Sequence, residues 1–151
     1  MKRWILFACV GILMITLAGC SGTIGELLGD DAMGAKIGDS SWDSTNSVLT
    51  ITGDTVLITG ADYKGRAITI TLYDRSDLPG TVILNSTTGK AVYTPLVTNP
   101  GDSYTSYDSS GMVIVDSISS SRVKGTFSFR AKNDDDEEVT ITNGYFDMET
   151  D

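Results

Sequence analysis

The chain has 151 residues, with 20 Asp and Glu against 11 Lys and Arg, a formal charge of −9, and no histidine. Without imidazole, Ser-His-Asp and Cys-His nucleophiles and every His-based zinc or iron site are excluded. A surface this acidic repels phosphate backbones and anionic head groups, so nucleic-acid binding and electrostatic membrane docking are disfavoured.

Lys2 and Arg3 open the chain, and the apolar run from Trp4 to Ala18 is broken only by Gly11 and Thr16 before Leu17-Ala18-Gly19-Cys20. That run of 15 residues is shorter than the ~20 needed to cross the ~30 Å hydrocarbon core. It reads as a cleaved signal over residues 1–19 that ends in a bacterial lipobox. Similarity to lipoprotein signal peptides implies cleavage before Cys20, diacylation of its thiol and acylation of the new amino terminus. One acyl chain holds reversibly, whereas two or three hold a protein on its membrane. The expected location is the outer membrane, on its periplasmic or cell-surface face. Removing the signal leaves 132 residues at a formal charge of −11, because Lys2 and Arg3 depart with it. That length is one domain's worth. Cys9 is discarded and Cys20 is taken by lipid, which leaves no disulfide and no thiol chemistry.

Residues 20–34 are glycine-rich without sustained periodicity and read as the lipidated cysteine and a flexible tether. Residues 35–151 carry short runs of Val, Ile, Thr, Tyr and Phe between Gly, Pro, Asn, Asp and Ser clusters, a β pattern. Strands are predicted over 47–52, 55–59, 67–73, 81–85, 90–94, 111–117, 122–132 and 137–148, with a shorter one over 35–42. In the third of these, Ile68, Ile70 and Leu72 share one face. In 122–132, Val123, Gly125, Phe127, Phe129 and Ala131 alternate with Lys124, Thr126, Ser128, Arg130 and Lys132. Eight or nine strands on hairpin-length links, with no helix for a crossover, predict an all-β, antiparallel sandwich or meander barrel.

The last strand changes register at Asn143-Gly144, since Val139 and Ile141 are apolar at odd positions and Phe146 and Met148 at even ones. Either a β-bulge with Gly144 left-handed or a two-residue hairpin turn accounts for the slip. The few residues that remain favour the bulge.

The order Gly34-Ala35-Lys36, Ser41-Trp42, Leu49-Thr50-Ile51-Thr52-Gly53, Ser110-Gly111-Met112-Val113-Ile114, Gly125-Thr126-Phe127-Ser128-Phe129 and Thr142-Asn143-Gly144-Tyr145-Phe146 resembles an uncharacterised family of small lipoproteins, a domain of unknown function common in Bacteroidota. The resemblance covers nearly the whole mature domain and implies an all-β envelope protein. It brings no catalytic or binding residues. In such bacteria, acidic residues directly after the lipidated cysteine mark surface display; here Ser21 to Gly25 are uncharged, so either membrane face stays open.

For chemistry, only a carboxylate pair or a Ser-Lys pairing remains, and neither has a spacing signature, so no catalytic residues, no metal and no cofactor are expected. The run Asp134-Asp135-Asp136-Glu137-Glu138 lacks the glycine and alternating ligands of a calcium loop and reads as a solvated hairpin tip. Tyr104, Tyr107 and Asp108, in a stretch read as a loop, and Trp42 are candidate ligand-binding residues, able to stack on sugar faces if exposed. Asp43-Ser44-Thr45, Asp54-Thr55-Val56 and Asp116-Ser117-Ile118 look like O-glycosylation acceptors of Bacteroidota envelope proteins, with Ser44, Thr55 and Ser117 as the modified residues. The expectation is a non-catalytic binding or adhesion module for glycan or for an envelope or host protein. Its alternative is a structural or accessory subunit of an outer-membrane assembly. Aromatics converging on a concave surface would favour glycan, and an apolar sheet face would favour a protein.

Overall fold

The computed structural model of the protein describes residues 32–150. The expected signal peptide, Cys20 and most of the tether lie outside them. Ten strands follow in chain order: β1 (Ala32–Ile37), β2 (Ser40–Asp43), β3 (Asn46–Thr52), β4 (Thr55–Ala61), β5 (Ala67–Leu72), β6 (Gly80–Ile83), β7 (Gly89–Thr94), β8 (Tyr104–Ile118), β9 (Arg122–Lys132) and β10 (Glu138–Glu149). Among the described residues the helical pieces are two 3₁₀ turns, Arg75–Asp77 and Pro100–Asp102, and no helix is long and apolar enough to cross a membrane.

All pairings are antiparallel and belong to one sheet, in the order β2-β1-β10-β9-β8-β7-β5-β4-β3, with β6 also on β8. The all-β expectation therefore holds, as a curled single sheet and not as two packed sheets. β2 and β3 are the two ends of this order, yet only Ser44 and Thr45 separate them in the chain. The sheet must curl until its edges meet. At the seam the Ser44 amide donates to the Met33 carbonyl of β1 and the Thr45 amide to the Ala61 carbonyl of β4, both at 2.8 Å. From this link, one route through Met33 and Phe146 reaches Gly125 on β9. The other, through Ala61, Ala67, Thr94 and the Tyr104 end of β8, reaches Lys132. That stagger along β9 is what tilted strands impose on a sheet curling back on itself.

The inward face holds the core. Val56 and Ile58 of β4, Ile68, Ile70 and Leu72 of β5, Val123, Phe127, Phe129 and Ala131 of β9, and Ile141, Phe146 and Met148 of β10 are all buried. Each of the Val, Ile, Leu, Phe and Met side chains among them contributes about 1.5–3 kcal/mol on burial. The alternation read from β5 and β9 is the alternation observed.

Three local expectations are corrected. Residues 35–42, read as one strand, form the β1–β2 hairpin with its turn at Gly38 and Asp39. Ala32, Met33 and Gly34, assigned to the tether, belong to β1, because they pair with Asp147, Phe146 and Tyr145; three residues carry no readable period. The slip in β10 is a bulge, between Ile141 and Gly144, but the left-handed residue is Asn143 at φ 51°. Asn tolerates that conformation. Glycine is needed at 144 for space, since a Cβ there would lie 2.5 Å from the Phe127 ring.

Candidate functional site

The proposed ligand-binding aromatics do not converge. Trp42 is 1% exposed and sits in the core, its indole N–H donating to the Arg66 carbonyl at 3.4 Å. Tyr104, Tyr107 and Asp108 lie on β8 and not in a loop. The stretch pairs with β7 at Tyr104 and Thr105 and with β9 at Thr105 and Ser106, and the β8–β9 register then shifts between Ser106 and Gly111, with Ser109 at φ 60°. Tyr104 packs on Tyr93, ring centroids 6.0 Å apart, and donates to Glu137 Oε2 at 3.2 Å. Burial and that carboxylate raise its pKa. The Tyr107 hydroxyl donates to Glu138 Oε2 at 2.7 Å. Arg130 and Lys132 each lie 5.7 Å from the Tyr107 ring centroid. The ring is therefore engaged by two cations of its own sheet. The Asp108 carboxylate accepts from the Ser86 amide at 3.2 Å.

Two turns at the Tyr104 end of the sheet share one backbone design. In 62–66, Asp62 Oδ1 accepts from the Lys64 and Arg66 amides, both at 2.9 Å. The Gly65 amide donates to the Asp62 carbonyl, and Gly65 is left-handed at φ 79°. In 133–137, Asn133 Oδ1 accepts from the Asp135 and Glu137 amides at 3.1 and 2.9 Å. The Asp136 amide donates to the Asn133 carbonyl, with Asp136 left-handed at φ 61°. These are side-chain-capped Asx turns. Asp62 goes further: its side chain is 2% exposed and pairs with Arg66 Nη2 at 2.7 Å. Burial alone would raise its pKa, but the hydrogen bonds and charge of Arg66 outweigh it and hold the carboxyl below the ordinary range.

The first turn displays Tyr63, 79% exposed, a residue that periodicity could not single out because turns have none. Beside it, the Val97 amide donates to the Gly65 carbonyl at 2.8 Å. A Cβ on Gly65 would meet Leu96 Cδ1 at 3.3 Å and Val97 Cγ2 at 3.7 Å. Leu96 and Val97 are 44% and 49% exposed, so three large apolar side chains crown two touching loops. In the second turn, Asp134 and Asp135 point into solvent with no ion pair among the described residues, whereas Asp136 pairs with Lys132 at 3.5 Å and Glu138 with Arg130 at 3.7 Å. Glu137 accepts from Asn133 Nδ2 at 2.9 Å. The run is a hairpin tip whose last three carboxylates already have donors.

On the outer face of β8, β9 and β10 lies a groove of about 370 Å³. Met112 and Ile114 form one wall, Thr126 and Ser128 the floor, and Asn143 and Tyr145 the other wall. Met112 and Ile114 are exposed, and Ile83 of β6, paired with Met112, extends the apolar surface. The period of two predicts this outward row on β8 but not its exposure.

Of the expected glycosylation residues, Ser44 is half-buried, its hydroxyl in the seam, 3.2 Å from the Met33 amide and 2.8 Å from Ser47 Oγ. Thr55 is half-buried at the start of β4, and Ser117 is exposed on β8. Cys20 lies outside the described residues.

A family model described as a domain of unknown function, DUF6252, matches residues 30–148. No curated protein and no solved structure matches the chain.

Proposed function

The chain belongs to the DUF6252 family of domains of unknown function, and from that premise we propose that it is a lipid-anchored outer-membrane protein that works by binding a protein partner. The observation that carries this reading is the apolar outer face of Ile83, Met112 and Ile114 beside a groove walled by Tyr145. Exposed apolar patches on a folded surface mark interaction sites. Glycan is the weaker reading, because Trp42 is buried and the Tyr107 ring is engaged by Arg130 and Lys132. Catalysis ranks third, because the sequence lacks histidine and its remaining carboxylate-pair and Ser-Lys options have no spacing signature. The membrane contact in this reading is the lipid on Cys20, so Cys20→Ser is expected to move the protein from the membrane to the aqueous fraction.

The same face serves a second reading, an accessory subunit of an outer-membrane assembly, and one experiment addresses both. A photo-crosslinking residue at position 114 is expected to capture a single envelope protein in stoichiometric yield, and one at exposed Lys90 none. Met112→Asp is expected to abolish the product. Equal products at both positions, or a product untouched by Met112→Asp, would remove the sheet face as the binding site.

A further inference from the structure

We propose that the loop end of the sheet is a second interaction surface, one that takes a cationic protein segment bearing apolar side chains. The contact would form on Tyr63, Leu96 and Val97, three exposed apolar residues held on two loops joined by the Val97–Gly65 hydrogen bond. Tyr is the kind of side chain that dominates interface energetics, and a loop already fixed loses little entropy on binding. Asp62 and Arg66 supply that rigidity through four hydrogen bonds and ion-pair contacts beneath Tyr63.

Charge selects the partner. Asp102 lies in the loop that carries Leu96 and Val97, and exposed Asp134 and Asp135 lie on the turn whose Glu137 accepts from Tyr104 at the same end of the sheet. Of the two cations on the first turn, Arg66 is paired with Asp62 and Lys64 lies 5.6 Å from the Tyr63 ring centroid. An approaching acidic surface would be repelled and a basic one drawn in. The same carboxylates would repel an anionic lipid surface.

The test uses the full lipidated chain on phosphatidylcholine vesicles, with protein-free vesicles subtracted, and three labelled peptides of one length. The first intersperses Lys with Trp and Leu, the second replaces Trp and Leu by Ser, and the third replaces Lys by Glu. The first is expected to bind best. The paired variant Tyr63→Ser, Leu96→Ser is expected to weaken it about tenfold or more while leaving the second peptide's binding within about twofold. Asp134→Asn with Asp135→Asn is expected to weaken both cationic peptides, most at low salt. All substituted residues are exposed, and unchanged thermal midpoints would confirm folding. No binding of the first peptide, equal binding by the Tyr63→Ser, Leu96→Ser variant, or equally tight binding of the third peptide would overturn the proposal. None of these outcomes bears on crosslinking at position 114.

Discussion

The turns 62–66 and 133–137 share one hydrogen-bond pattern and invert what their carboxylates do. In the first, the carboxylate is turned inward, its side chain 2% exposed, and holds both the backbone and Arg66, while an aromatic faces water. In the second, a neutral amide holds the backbone, and carboxylates face water. The backbone therefore asks only for a carbonyl-type oxygen at the first position. The negative charge of Asp62 is an addition, justified by Arg66 alone, and it makes the two turns unequal in stability.

Removing the first residue of each turn breaks this comparison most severely. Asp62→Ala leaves two amides and a largely buried guanidinium without their acceptor, and is expected to cost about 3–4 kcal/mol. Asn133→Ala strips the same two backbone bonds at a more exposed site where water substitutes, at about 1 kcal/mol. Urea melts of both variants check the ratio; equal losses would mean that the ion pair adds nothing.

A finer cut is Asp62→Asn, which keeps the backbone acceptor, as Asn133 does naturally, and removes only the charge. Its expected cost is about 1–2 kcal/mol at neutral pH. The Asp62 pKa is lowered in the folded state, so its contribution is present above the unfolded value of about 3.9 and is lost as pH falls through the folded value. The stability gap between the protein and Asp62→Asn should therefore close as pH is lowered from about 5 to below 3.8. A gap constant with pH would show that the charge of Asp62 is not what Arg66 stabilises.

Periodicity and turn chemistry differ in how much of this they disclose. Strands β5 and β9 were legible because one face is uniformly apolar, and the β10 slip because Phe146 and Met148 fall on the wrong parity. Trp42 was misplaced because a four-residue strand at a seam shows no alternation to assign its face, and burial there comes in part from Gly60 of β4, distant in sequence. Tyr104, Tyr107 and Asp108 were misread because polar composition marks loops and bulged edge-to-edge pairing alike. Ser44, next to a turn in the sequence, is half-buried because the curl of the sheet brings β1 and β4 together there. The loop end was readable only as separate turn signals, since what brings Gly65 under Leu96 and Val97 is the β5–β7 register, a property of pairing.

The fourth position of the two turns gives the smallest and cleanest contrast. Gly65 and Asp136 occupy the same left-handed conformation, at φ 79° and 61°. Glycine adopts it freely, and Asp does so at lower cost than most residues because its short polar side chain can bond locally. Asp136→Gly trades relief of that conformation against greater unfolded-chain entropy and the exposed ion pair to Lys132, terms that nearly cancel, so its stability should change by less than about 0.5 kcal/mol. Gly65→Ala has no such compensation. The new Cβ is strained by the backbone and sits 3.3 Å from Leu96 Cδ1, and about 1–2 kcal/mol should be lost. If both substitutions prove neutral, the shared backbone does not constrain its fourth position; if both are costly, Asp136 contributes through a contact beyond Lys132, and the two turns are less alike than their hydrogen bonds.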